Sequence, residues 1–95
     1  MSTEIATLLV RSTDICGGRL RIDGTRITIN QMAALYIEGS SPEEIADQYP
    51  HLTLAQVYTA LAYYHANKEE VEADLAAEKA EADLLEREFQ QFGRG

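Results

Sequence analysis

Residues 40–66 have the sequence SSPEEIADQYPHLTLAQVYTALAYYHA, which predicts two helices joined by a tight turn. Ser41 with Glu44 three residues later is typical of a capping box at a helix start, and Thr53 with Gln56 repeats the pattern. The proline of the YPHL segment between them ends the first helix, because proline lacks an amide hydrogen and restricts the residue before it. A short helix, a turn and a longer helix form the outline of a helix-turn-helix unit.

The segment before these helices predicts a β-hairpin. Residues 16–28 have the sequence CGGRLRIDGTRIT, in which Asp23-Gly24 separates two alternating runs and favours a two-residue turn. In that register the core-facing residues are Leu20, Ile22 and Ile27, and the residues of the other face are Arg19, Arg21 and Arg26. Like charges placed opposite each other repel, so we expect an anion against these arginines. It is an acid of the chain itself or of a second copy, DNA phosphate, or a partner's carboxylate. A further short strand is expected at residues 8–12.

A third capping box, Thr28 with Gln31, predicts another helix, which ends at Gly39. On all three helices the apolar residues are spaced i, i+3, i+4, as expected for faces that share one core. The expected core residues are Met32, Leu35, Tyr36, Ile45, Ala46, Tyr49, Leu54, Val57, Tyr58 and Leu61. The sequence therefore predicts a mainly α fold, with a small three-helix core, an N-terminal β-hairpin and a long C-terminal helix.

The C-terminal part predicts one acidic, amphipathic helix that starts with a cap at Asn67 and runs to about residue 92. A heptad seam with one acid in it follows the residues Val71, Leu75, Glu78, Ala82, Leu85, Phe89 and Phe92. A helix of this length buries little against a domain of roughly sixty residues. We therefore expect a hairpin and helix-turn-helix domain at 1–66 and a separate helix at 67–95. Its seam would pair in a homodimer or higher homo-oligomer, or lie in the groove of another protein.

Composition and charge limit the possible functions. The chain has 95 residues, one cysteine and a net charge of −8, and its apolar runs are too short to cross a bilayer. A single cysteine forms no internal disulfide and no secretory signal is visible, so we expect a cytoplasmic protein without membrane contact. The net charge is +1 for residues 1–30, −4 for residues 31–66 and −5 for residues 67–95. Only the first third offers the basic surface that a monomeric DNA-binding protein usually presents.

No pattern in the sequence indicates catalysis. His51 and His65 have no cysteine or carboxylate at metal-ligand spacing, and Gly17-Gly18 is not followed by a phosphate-loop pattern. Cys16 is expected to be a buried structural thiol. We therefore expect a protein without enzymatic activity, cofactor or metal.

Two groups of residues are candidates for DNA binding. The residues at the second helix of the unit that would face a groove are Thr53, Gln56, Thr59 and Tyr63. Glutamine can bond adenine through two hydrogen bonds, and threonine can contact a thymine methyl group. The hairpin residues that would supply phosphate contacts are Arg19, Arg21 and Arg26. The same residue types are ordinary choices for a solvated helix surface, which is the alternative.

Three segments together resemble the bacterial family catalogued as domain of unknown function 433. They are CGGRLRIDGTRITI at 16–29, EGSSPEEIADQYPHLTLAQV at 38–57 and YTALAYYHANKEEV at 58–71. Members resemble VapB-type antitoxins with a homeodomain-like helix-turn-helix, often encoded beside a PIN-like ribonuclease toxin. The resemblance implies repression of the operon and neutralisation of the toxin by the C-terminal segment. The chain departs from the family at Leu20, where proline is common, and in having no Lys or Arg in residues 53–66.

Two functions from different classes are consistent with the sequence of this chain. The first is an antitoxin-like regulator that binds DNA and a PIN-like toxin, and the second is a homo-oligomeric interaction module without a DNA role. The residues expected to bind a partner or to oligomerise are Val71, Leu75, Ala82, Leu85, Arg87, Phe89 and Phe92. An acidic helix that ends in phenylalanines suits a basic ribonuclease surface, whose metal-binding carboxylates Arg87 or Arg94 could reach. A charged, solvated face on a self-associating helix is the alternative.

Overall fold

The chain is mainly helical, with a small antiparallel hairpin at its N-terminal end and a long helix at its C-terminal end, as its sequence predicts. The computed structural model describes residues 4–93, and the side chains of residues 4–90. The elements are β1 Leu9–Val10, β2 Arg21–Ile22, α1 Ile29–Ile37, α2 Pro42–Gln48, α3 Leu54–Ala66 and α4 Lys68–Gly93. Short 3-10 helices lie at Ile5–Leu8 and Cys16–Gly18. Within the described residues no helix combines the length and hydropathy needed to cross a membrane.

The three predicted capping boxes are all formed, at Thr28, Ser41 and Thr53. Each hydroxyl oxygen accepts the amide N–H of the third residue along, at 3.1 or 3.2 Å. That residue's side-chain oxygen in turn accepts the cap's own N–H, at 2.7 to 2.9 Å. These bonds satisfy amide donors that a helix start leaves unpaired, so the sequence alone places each start correctly. At the other end of α1, Gly39 has a φ of +115°, a conformation that favours glycine and turns the chain towards α2.

The hairpin forms, but the predicted register is wrong. The Ile22 N–H donates to the Ile27 carbonyl at 2.9 Å, and Arg21 pairs with Thr28 rather than with Arg26. The loop is therefore residues 23–26, two residues longer than predicted. Its wider path is stabilised by Thr25, whose hydroxyl donates to the Ile22 carbonyl at 2.8 Å and accepts the Ile27 N–H at 3.0 Å. On its other edge β2 pairs with β1, which lies at the predicted short strand.

The main core lies between the hairpin, α1, α2 and α3. Its buried residues are Ile22, Ile29, Met32, Ile45, Leu52, Val57, Ala60 and Leu61. The predicted burial of Leu54 and Tyr58 is wrong, since these side chains are 46% and 48% exposed. The buried face of α3 instead runs through Val57, Ala60, Leu61 and Tyr64, which turns Leu54 and Tyr58 towards its edge and into solvent.

The start of α4 belongs to the core, contrary to the expectation that its seam has no partner within the chain. Val71 is only 3% exposed and packs in a second buried cluster with Ala33 of α1 and Tyr64 of α3, and Leu75 lies against that cluster. The predicted side-chain cap at Asn67 is not formed. Its Nδ2 atom donates back to the Tyr63 carbonyl at 3.1 Å, although its own carbonyl accepts the N–H of Val71 at 3.0 Å.

Candidate functional site

The predicted base-reading residues of α3 do not form an exposed face. The side chains of Thr53 and Gln56 are both engaged in the capping box. Thr59 is buried, and its hydroxyl donates to the Ala55 carbonyl at 2.6 Å. Tyr63 is half-buried and packs against both core clusters. Thr53 is exposed at the start of α3, but the four side chains do not form a continuous free face, because Thr59 is buried and Tyr63 is half-buried.

The surface that α2 and α3 do expose is acidic and apolar. Tyr58 lies on it, and its hydroxyl donates to the Glu43 carboxylate at 2.5 Å. This bond lowers the pKa of Glu43 and raises the pKa of Tyr58. Glu44 and Asp47 are exposed on the same helix as Glu43, and α3 itself carries no Lys or Arg. Such a surface repels phosphate rather than attracting it.

The three hairpin arginines have three different environments. Arg19 forms a salt bridge with Glu78 of α4, with 2.8 Å between Nη1 and Oε1. The chain's own acid is thus the anion that Arg19 meets, one of the alternatives expected from the sequence. Arg26 is exposed, and with Arg19 it lines a groove of about 390 Å³ beside the start of α1, whose other wall includes Leu75 and Glu78.

Arg21 is buried, with 6% of its surface exposed, and so does not share a solvent face with Arg19 and Arg26. Its guanidinium donates to the Thr25 carbonyl at 3.0 Å and to the Ser12 hydroxyl at 2.9 Å. The Nε atom has no hydrogen-bond partner among the described residues. The longer loop and the segment after β1 cover Arg21, because Thr25 of the loop and Ser12 of that segment both accept its hydrogen bonds. Arg21 is therefore a buried residue of the hairpin and not part of an exposed basic surface.

The first half of α4 is attached to the domain by both apolar and polar contacts. Beyond Val71, the Tyr64 hydroxyl donates to the Glu72 carboxylate at 2.7 Å. The Glu78 carboxylate forms the salt bridge with Arg19 and also accepts a hydrogen bond from Asn30 Nδ2 at 3.3 Å. Glu78, the acidic residue of the predicted seam, is thus paired with residues of its own chain.

The second half of α4 has no such contacts in the described structure. Every side chain from residue 79 to residue 90 is exposed, including those of Ala82 and Arg87. Leu85 is 57% exposed and Phe89 is 78% exposed. They continue the seam on which Val71 and Leu75 pack against the core. The predicted seam residue Phe92 lies outside the described side chains.

An apolar groove that sequence reasoning missed lies between α1 and α4. It has a volume of about 630 Å³ and its apolar walls are Ala34, Ile37, Leu75 and Ala76. Glu38, Glu72 and Lys79 line the remainder. The available signal was Ile37, a large apolar residue just outside the buried stripe of α1, which is 52% exposed.

The histidines and the cysteine that were considered as metal-binding or catalytic residues contact nearby aromatic rings and a backbone carbonyl. In the part of the chain that the structure describes, no three His, Cys, Asp or Glu side chains are grouped as a metal site would require. His51 stacks edge-on with Tyr49, and His65 with Tyr36. Cys16 is half-buried, and its thiol donates to the Arg26 carbonyl at 3.3 Å.

These features define a small hairpin and helix-turn-helix domain from which one amphipathic helix projects. Residues 9–64 match the family model described as protein of unknown function (DUF433), and the chain belongs to that family. It is also similar to the crystal structure of a DUF433 member protein from Anabaena variabilis. The two share 30% sequence identity over 73% of this chain and 68% of that chain, with a TM-score of 0.67. No curated protein of matching sequence was found. The family match contains the hairpin, α1, α2 and most of α3, and α4 lies beyond it.

Proposed function

We propose that this chain is an antitoxin-like regulator of a type II toxin-antitoxin pair. The second half of α4, which consists of the residues after Ala80 and is called its distal half below, is proposed to neutralise a PIN-like ribonuclease. The class of partner comes from the resemblance to VapB-type antitoxins. The observation that carries the proposal is the exposure of Leu85 and Phe89 on a seam that is buried at Val71. The role is that of a binding protein, without catalysis by this chain.

The distal half of α4 has the properties of a helix that lies in a groove of another protein. Large apolar side chains on one face are unfavourable in water and make good anchors in a partner's pocket. The acids that surround them would steer the helix towards a basic, RNA-binding surface. Arg87, on the same stretch of α4, is proposed to reach the carboxylates that such a ribonuclease uses to bind its metal. Repression of the operon is part of the proposal, with Arg19 and Arg26 as the residues that contact phosphate.

The test is rescue of cells that express the neighbouring ribonuclease gene. The full chain should restore growth and copurify with the ribonuclease, and a chain truncated after Ala80 should do neither. Leu85→Asp with Phe89→Asp should also abolish rescue. The matched control is Leu84→Asp, because Leu84 is equally exposed but lies on the other side of α4. Full rescue by the truncated chain would contradict the proposal.

A homo-oligomeric interaction module without DNA binding is the second candidate function. It is favoured by the apolar groove between α1 and α4, which is built partly from the same seam. Genomic context separates the two candidates, because only the first requires a PIN-like ribonuclease encoded beside this chain.

A further inference from the structure

The distal seam of α4 and the groove between α1 and α4 are complementary in chemistry. The groove has apolar walls at Ala34, Ile37, Leu75 and Ala76, and it is open to solvent. Phe89, on the same helix, is the most exposed of the large apolar side chains described, and Leu85 lies beside it. One copy of the chain thus has both an unfilled apolar groove and the side chains that would fill it. Within one chain the two cannot meet, because α4 is a continuous helix.

The spacing along α4 permits two copies to fill each other's grooves. Ala82 lies midway between Leu75 and Phe89, seven residues from each. If two α4 helices cross antiparallel at Ala82, Phe89 of each copy reaches Leu75 of the other. Leu75 and Phe89 are separated by roughly 21 Å, close to four helical turns, so Phe89 of one copy reaches the side of Leu75 that lines the groove of the other. Alanine at the crossing point lets the two helices approach closely.

Charge favours the same register. Lys79 lies at the edge of the groove, and the antiparallel crossing places it opposite Glu86 of the second copy. The two-fold symmetry repeats this pair on the other side of the axis. The seam acid Glu78 is already paired with Arg19 of its own chain. A parallel arrangement would instead bring the two Glu78 side chains together and leave both grooves unfilled.

We infer that the free chain forms an antiparallel dimer in which Phe89 of each copy fills the groove lined by Ala34, Ile37, Leu75 and Ala76 of the other. The dimer covers the seam that the proposed function assigns to the ribonuclease, and in that respect it rests on the proposed function. A second copy of the chain and the ribonuclease would compete for the seam. In the free antitoxin the dimer therefore keeps the apolar seam covered.

Disulfide trapping of the chain alone tests the geometry. In a Cys16→Ser background, Ala82→Cys places two thiols at the symmetry axis, where they should oxidise to a covalent dimer. The matched control is Ala80→Cys, an alanine that is also exposed but lies on the opposite side of α4. The Ala82→Cys variant should cross-link at least about tenfold faster than the control. Equal rates for the two variants would overturn the proposed geometry.

Charge reversal tests the register. Lys79→Glu and Glu86→Lys should each weaken dimerisation by about five- to tenfold, measured by light scattering over a concentration series. The combined variant should recover most of the original dimer, because both pairs are then restored with opposite sign. No recovery would overturn the register.

The contribution of the anchor is measured in the same way. Phe89→Asp should weaken the dimer by about a hundredfold or more, and Leu84→Asp should have little effect. A monomeric wild-type chain at concentrations well above those used for trapping would overturn the dimer itself. Rescue by the wild-type chain in that case would leave the proposed function standing. A stable dimer without rescue would instead remove the proposed function alone.

Discussion

Tyr64 of α3 donates its phenolic hydrogen to the Glu72 carboxylate of α4, at 2.7 Å. The two helices are separated only by Asn67, so this bond and the neighbouring packing of Val71 set the angle at which α4 leaves the domain. The Tyr64 ring is buried and packs edge-on against Tyr36 of α1, with 6.2 Å between ring centroids. The position of the projecting helix is therefore decided by the core.

Removing the bond between Tyr64 and Glu72 should loosen the attachment of α4. We expect Tyr64→Phe to lower the free energy of unfolding, because the ring stays buried and only the hydrogen bond is lost. Glu72→Gln keeps an acceptor and should cost less. Denaturant unfolding measures both, with Glu69→Gln, an exposed acid of the same helix turn, as control. An unchanged Tyr64→Phe variant would show that the bond does not contribute.

The same bond predicts a loss of stability at high pH. It raises the pKa of Tyr64 from 10.0 to about 12, because ionised tyrosine would face the Glu72 carboxylate. A pKa that is higher in the folded state contributes stability that is fully present below about pH 10 and is lost as the pH rises towards about 12. The unfolding free energy should fall over this range, and less steeply in Tyr64→Phe. Identical pH profiles would contradict the assignment.

Truncation should separate the two halves of α4. A chain ending after Ala80 keeps Val71 and Glu78 with their partners, and its thermal midpoint should change little. A chain ending after Asn67 loses the buried Val71 side chain, worth about 1.5–3 kcal/mol, and uncovers Tyr64. Thermal unfolding followed by circular dichroism compares the two. Equal midpoints would mean that the docked half does not stabilise the domain.

Arg21 should be replaceable without loss of stability. A buried guanidinium with an unsatisfied Nε atom carries a large desolvation cost, so Arg21→Met should be neutral or stabilising. Ser12→Ala should be destabilising, because it removes a hydrogen-bond acceptor and leaves the charge in place. Denaturant midpoints of the two variants decide the matter. A strongly destabilised Arg21→Met would show that the guanidinium is worth more than its burial costs.

Under the proposed repression of the operon, binding to promoter DNA should depend on Arg19 and Arg26 and fall steeply with salt. Alanine at both positions should reduce affinity for every sequence, and Arg21→Met should leave it unchanged because that side chain is buried. Gln56→Ala should lower the thermal midpoint through loss of the capping box rather than relax specificity. Gel retardation with the partner present provides the measurement. A loss of DNA binding in Arg21→Met alone would contradict this division of roles.

The candidate surfaces could be predicted only in part from the sequence. The heptad spacing of α4 correctly indicated an apolar seam, because that periodicity is written in one continuous segment. It did not indicate that Val71 docks within the chain while Phe89 does not, since this depends on where α1 and α3 end beneath α4. Thr59 shows the same limit. Its position in the sequence of α3 is compatible with a side chain that faces a DNA groove. In the folded chain, α3 packs against its neighbours in an orientation that buries Thr59.

By itself the sequence determined where the helices begin, because each capping box closes hydrogen bonds among four consecutive residues. The amino acids alone also specified the helical class, the hairpin and the length of α4. The hairpin register could not be read from the Asp23-Gly24 turn signal, since pairing of β2 with β1, which is distant in the chain, acts together with the local bonds of Thr25 to favour a wider loop. The tertiary structure also determines that Arg21 and Thr59 are buried and that a groove opens beside α4. These features depend on contacts between residues that are distant in the chain.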